Sequence, residues 1–189
     1  MTDFPWLTIL AAIPLAGTVA VAALPRGRDL LAKRVALAFA LAALGFAVAT
    51  ATRFDPTSGA AFQLVERHPW IEDFGVSYAV GVDGIGLVLV ALVAVLVPIV
   101  ILASWHDAEG GQRSVKTFFA LVLALETMTL VVFLALDVFL FYVFFEAMLI
   151  PMYFLIGSYG GAQRSYAAVK FLLYSLLGGL LMLAAVIGL

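Results

Sequence analysis

Phe141 to Gly157 reads FYVFFEAMLIPMYFLIG, an almost wholly apolar run with one carboxylate, Glu146, near its centre and Pro151 five residues further on. A carboxylate surrounded by hydrocarbon costs roughly 3 kcal/mol or more. A residue held at that cost needs a reason to be there, and the rest of the chain must supply it.

Composition identifies the medium. Of 189 residues, 65% are hydrophobic and 12% charged, with a mean hydropathy of +1.16. Soluble domains carry about 45–50% apolar and about 25% charged residues, so this is an all-α integral membrane chain rather than a water-soluble globule. Lys and Arg number 10 against 12 Asp and Glu, which leaves no basic excess to attract nucleic acid. Without cysteine there can be no thiolate-ligated iron–sulfur cluster, thiolate zinc site or disulfide. His68 and His106 both fall in polar connections, which argues against a haem held by two histidines in the bilayer. The expectation is a chain without a cofactor, metal or redox centre of its own.

Crossing the hydrocarbon core takes about 20 apolar residues. Six runs meet or nearly meet that length: about Phe4–Leu24, Val35–Ala51, Ile85–Trp105, Phe118–Leu136, Val138–Gly157 and Ala167–Leu189. The fourth and fifth are separated by Asp137 alone. A single helix over both would be about 60 Å long, twice the core thickness, so two antiparallel spans with a tight turn at Asp137 are expected. No Gly, Pro or Asn marks that turn. The segment leading into the first run holds Asp3 and no base, and the run reads as a true span rather than a cleaved leader.

Eight of the ten bases fall on one side of this map: Arg26, Arg28, Lys33, Arg34, Arg113, Lys116, Arg164 and Lys170. The second connection has only Arg53 and Arg67 against five acids. The bias places the N-terminus outside and the odd-numbered connections in the cytoplasm. The chain divides into residues 1–52, the first two spans; 53–84, an extracytoplasmic loop; 85–116, the third helix and a cytoplasmic loop; and 117–189, helices four to six. Inside the loop, FGVSYAVGV sets Phe74, Val76, Tyr78, Val80 and Val82 on one face at period two, as in a short strand or hairpin arm. Asp83-Gly84 suits the cap of the third helix. The last run ends at Leu189 with no polar cap, aromatic anchor or charge, so the natural sequence is expected to continue beyond it.

Three ionisable residues lie inside the spans: Glu126, Glu146 and Lys170. Each is either functional or a neutralised, hydrogen-bonded packing residue, and Lys170, near the cytoplasmic end, could also snorkel to the headgroups. Glu126 lies eleven residues before Asp137 and Glu146 nine after it, which puts both carboxyls within about 3 Å of the same height near the midplane. If both face inward, they share a dry site in which at least one keeps its proton. Lys170 and Glu146 differ in depth by about 9 Å, favouring a water-mediated link over a salt bridge. Tyr166, Lys170, Tyr174 and Gly178 recur at four-residue spacing, a small and polar stripe expected to face other helices. Pro151 lacks an N–H and leaves the carbonyl of Ala147 unpaired beside Glu146, so this helix should kink there, for function or for packing alone. Gly84 and Gly86 do not complete a dinucleotide fingerprint, and GGAQRS lacks a P-loop lysine.

GVDGIGL, FLALDVFLFYVFFEAMLIPMYFLIGSYGG and YAAVKFLLYSLLGGLLMLAAV together resemble the M-type antiporter-like subunits of bacterial NADH:quinone oxidoreductase, complex I, over essentially the whole chain. They discriminate less well against subunits of multisubunit cation/proton antiporters and membrane-bound hydrogenases. The resemblance implies a proton-translocating, multi-pass subunit of the bacterial plasma membrane, with other complex I membrane subunits and lipid as its partners. NADH, FMN, iron–sulfur clusters and quinone would be handled by partner subunits. It also implies that Glu146 is the main proton-handling carboxylate and that Lys170 belongs to a polar axis along the membrane plane. Glu126 rests on the depth argument alone. The family carries two inverted repeats and pairs this glutamate with a lysine in a broken seventh helix, whereas this sequence ends after six spans, so an N-terminal fragment is expected. A non-catalytic truncated membrane scaffold remains the alternative of another class.

Overall fold

The computed structural model describes residues 4–71, 76–106 and 114–188. In chain order the elements are α1 (Trp6–Ala23), α2 (Asp29–Ala51), β1 (Gln63–Ile71), β2 (Val76–Val82), α3 (Gly84–Ala103), α4 (Val115–Leu134), α5 (Val138–Ala147), α6 (Leu149–Tyr159) and α7 (Arg164–Ile187). With α5 and α6 taken as one span over Val138–Tyr159, six helical segments among the described residues are long and apolar enough to cross a membrane. The surface agrees. Ile85 is 73% exposed, Val88 67% and Leu181 66%, an arrangement stable in lipid and costly in water.

Between apolar helices in lipid there is little hydrophobic drive, so close packing decides which faces meet. On α2 the buried face is a seam of alanines, Ala32, Ala36, Ala40, Ala43 and Ala47, spaced to share one side of the helix. Small side chains let the neighbouring backbones approach. Gly17 does the same on α1: a Cβ there would lie 2.7 Å from the Phe39 ring base and 3.0 Å from Leu123. The helix at the centre is α4, which packs against α1, α2, α3, α5 and α6 and buries Phe119, Leu123, Leu130 and Leu134. By contrast α7 leans mainly on α6 and stays almost entirely uncovered.

The turn at Asp137 is present, and it is marked after all. Asp137 caps α5, its carboxylate accepting from the N–H of Phe139 at 2.8 Å and of Leu140 at 3.2 Å. The same carboxylate accepts from the backbone N–H of Ser77 at 3.1 Å and from its hydroxyl. Desolvation pushes this carboxyl up, but the bonds from Ser77, Leu140 and Phe139 outweigh it and hold the group below the usual carboxylate range. Asp83 caps α3 as expected, accepting from Gly86 N–H at 2.6 Å.

Between α2 and α3 lies an antiparallel hairpin, with Glu66 opposite Val80 and His68 opposite Tyr78. Its β2 arm matches the expected strand, although Phe74 lies outside the described residues, as does Arg113 of the orientation count. The alternating exposure is corrected: Ala79, Val80, Gly81 and Val82 are all buried. Both edges of β2 are covered, by β1 on one side and on the other by the α4–α5 turn, where Leu136 N–H donates to Ala79 O at 2.8 Å and Ala135 bridges to Val80. Its partner β1 was not foreseen, because Glu66, Arg67, His68 and Pro69 break the apolar pattern.

Candidate functional site

Glu146 sits one residue before the end of α5. The helix is interrupted at Met148, whose N–H reaches back to both Glu146 O and Phe144 O, and it resumes as α6 with Pro151 in its first turn. Proline is tolerated there because a first-turn residue needs no intrahelical donor. The missing N–H falls opposite the carbonyl of Ala147, so the interruption follows from the sequence and lies beside the carboxylate. Past the break the backbone recovers slowly, with Met152 N–H to Met148 O at 3.4 Å.

The side chain of Glu146 reaches across to α7. A Cβ built on Gly179 would coincide with its Oε1 and lie 2.7 Å from its Cδ. Oε1 is buried without a hydrogen-bond partner among the described residues, although the residue as a whole is only half-buried. Next to it, α4, α5, α6 and α7 line an open apolar pocket of about 710 Å³, whose walls include Phe133, Phe141, Phe145, Met152, Phe171 and Gly179.

Glu126 is 1% exposed, and neither of its oxygens has a partner among the described residues. The nearest helical neighbours explain this. Thr127 and Thr129 are hydroxyl donors, yet each donates to the carbonyl four residues back, Leu123 O at 3.1 Å and Leu125 O at 2.8 Å. Glu126 precedes the end of α4 by eight residues and Glu146 follows the start of α5 by eight, so their backbones share a depth about 12 Å from the turn. No hydrogen bond joins them, since neither Glu126 oxygen has a partner. Each acid occupies its own setting: Glu126 belongs to the buried face of α4, and Glu146 lies against α7.

Lys170 is exposed, with Tyr166 and Tyr174 rings each 5.9 Å from its Nζ. Tyr166, Lys170 and Tyr174 of its stripe do not face the other described helices. Tyr166 is 67% and Tyr174 69% exposed, because α7 uses its opposite side, with Ala168 against Gly157 of α6 and Gly179 against Glu146. Glu146 meets α7 nine residues beyond Lys170, about 13 Å along the axis, which rules out a direct salt bridge.

Three further polar residues tie the frame that holds these groups. Glu66 of β1 accepts from Leu7 N–H at 2.7 Å, Thr8 N–H at 3.2 Å and the Thr8 hydroxyl, closing the N-terminus of α1, while Tyr78 shares Thr8 Oγ1 at 3.0 Å. Lys116 donates to Ala22 O at 3.0 Å and Leu24 O at 2.7 Å, closing the other end of the same helix. The third is Asp137. Of the three, only Asp137 had a local signal, an acidic residue directly before an apolar run. Nothing near Gly179 in sequence announced its contact with Glu146.

The family model described as NADH:quinone oxidoreductase/Mrp antiporter, TM matches residues 135–189, which contain Glu146, Pro151, Lys170 and Gly179. NADH-quinone oxidoreductase subunit M of Mycobacterium tuberculosis is 49% identical over 100% of this chain and 39% of its own length. The chain is a relative of the antiporter-like M subunits. Another M subunit, that of Rhodobacter capsulatus, is 40% identical over 96% of the chain and 35% of its own length. F(420)H(2) dehydrogenase subunit M of Methanosarcina mazei is 38% identical over 79% of the chain and 29% of its own length. A chain of the structure titled "Respiratory complex I from Thermus thermophilus with bound NADH" superposes with a TM-score of 0.80 at 28% identity, covering 96% of this chain and 35% of that one. The sequence thus spans about two-fifths or less of the length of these M-subunit relatives.

Proposed function

We propose that this chain is part of a proton-translocating membrane subunit of an NADH:quinone oxidoreductase in a bacterial plasma membrane, with Glu146 as the group that takes up and releases the proton. Electron transfer from NADH to quinone, with its FMN and iron–sulfur clusters, belongs to partner subunits. The N-terminus and the hairpin face the outside. One observation carries this reading: a carboxylate at membrane depth, beside a break in its own helix, with one oxygen buried and unpartnered against a neighbouring helix. A group so placed is expensive as a packing residue, and its free energy responds strongly to the arrival or loss of a proton or a nearby charge.

The other candidates take lesser roles. Lys170, about 13 Å along α7, interacts with a carboxylate at Glu146 by only about 1 kcal/mol at an effective dielectric of 20, so it biases the site and does not pair with it. Glu126, dry and level with Glu146, is a second place where a proton can rest on the way. Pro151 supplies the helix break and carries no proton. In the complete complex, Glu146→Gln should abolish proton pumping while assembly and the redox subunits stay intact. Undiminished pumping rules the proposal out.

The matched family description also names the Mrp antiporter, which supports a second reading as a subunit of a cation/proton antiporter. Sodium-dependent transport with no NADH-linked activity separates that reading from the first.

A further inference from the structure

We infer that Gly179 is a positioning residue for Glu146: the absent side chain on α7 is the socket that fixes where the carboxyl sits and which of its oxygens is open to proton exchange. This rests on the reading of Glu146 as the proton-transfer group. Two neighbouring glycines show the contrast. At Gly178 an added Cβ would meet nothing within 4 Å, whereas at Gly179 it would coincide with Glu146 Oε1 and stand 2.7 Å from Cδ and 3.3 Å from Oε2. Only one of the pair is occupied by another helix's side chain.

The consequence follows from which atoms can yield. Gly179 lies mid-helix, eight residues before the end of α7 at Ile187, where the backbone is held by its own ladder. The carboxyl is the far end of a flexible side chain on a half-buried residue. An alanine at 179 therefore displaces the carboxyl and leaves the helices where they are. The socket buries Oε1 completely, while Oε2 is not buried in that way and has no hydrogen bond among the described residues. The carboxyl thus presents one oxygen to exchange and keeps the other against α7. Gly179 touches no proton itself and acts through the placement of Glu146.

The test uses the complete complex carrying Gly179→Ala, Gly178→Ala, Glu146→Asp and the double variant Gly179→Ala with Glu146→Asp. Two properties are read: proton pumping, and the rate at which a lipid-soluble carbodiimide modifies residue 146, followed by mass spectrometry. Gly179→Ala should assemble normally, raise modification of Glu146 severalfold and cut pumping about tenfold or more, since displacing a reacting group by an ångström is enough for such a loss. Gly178→Ala should leave both readouts unchanged. The double variant should pump better than Gly179→Ala alone, because the shorter aspartate vacates the space that the new methyl takes. Unchanged modification in Gly179→Ala overturns the positioning role, whatever pumping does. Increased modification with full pumping overturns the role of Glu146 in transport, and the positioning role with it. If Gly179→Ala fails to assemble, the double variant decides: its assembly upholds the socket, and its failure overturns it.

Discussion

Replacing Glu126 by leucine should make the fold more stable and transport worse. The perturbation removes a carboxyl both of whose oxygens are buried without partners among the described residues, and puts a slightly bulkier apolar side chain in its place. A buried polar group left unsatisfied costs about 1–3 kcal/mol. On the same face of α4, Leu123 and Leu130 are both fully buried, so leucine joins an existing apolar layer and opens no cavity. The unfolded chain in a membrane environment recovers part of the penalty by finding partners there, which places the expected gain at about 1–2 kcal/mol. Glu126→Gln keeps a polar group in the same dry place and should lie within about 1 kcal/mol of the parent. The assay is denaturant titration of the purified chain in micelles, followed by circular dichroism and tryptophan fluorescence, with pumping of the complete complex measured alongside. A leucine variant destabilised by more than about 1 kcal/mol refutes the argument, because the carboxyl would then be making bonds worth more than its burial costs. A stabilised variant that pumps at the parent rate would leave the fold argument standing and remove Glu126 from the proton route.

Glu66→Gln weakens charge-assisted bonds to two backbone donors at the start of α1 and should cost about 1–2 kcal/mol in the same titration; Thr8→Val added to it should cost little more, because both act on one cluster. Asp137 is held below its ordinary value, so the stability it contributes is complete above the unfolded value of about 3.9 and drains away as pH falls through the lower folded value. Asp137→Asn should flatten that acid limb in stability measured between about pH 6 and pH 2, and an unchanged limb counts against the cap. Gly17→Ala drives a methyl to 2.7 Å from Phe39 and 3.0 Å from Leu123, and should destabilise the α1–α2–α4 contact by about 1–3 kcal/mol in thermal unfolding.

The spans were legible in the sequence because hydrocarbon thickness imposes a length that no other environment asks for, and the helix limits fall within a few residues of those runs, α2, α4 and α7 starting earlier. The turn at Asp137 was legible by the same ruler, although its chemistry, an acid capping the next helix, passed unnoticed in favour of a missing glycine. The β1 strand was not legible: its stability comes from pairing with β2 and from Glu66 reaching α1, partners nearly sixty residues away in the case of Thr8. Of the site, the acids and the proline announced themselves by their cost in lipid. Their surroundings did not, because rotation about a helix axis is set by tertiary packing. Periodicity placed Tyr166, Lys170 and Tyr174 on one stripe correctly but could not tell which side of α7 would meet α6.

The fastening of the hairpin has a consequence in time. The first helix leaves its opening N–H groups without an acceptor until residue 66 exists, and β2 lacks its second edge until residues 135–137 arrive. A ribosome feeding this chain into a membrane therefore completes each fastening only after the later segment has been made. The final clasp, at Asp137, closes just as the helix that bears Glu146 begins to emerge. Synthesis order and locking order coincide, so the early spans wait, unfinished, for the piece that carries the acid.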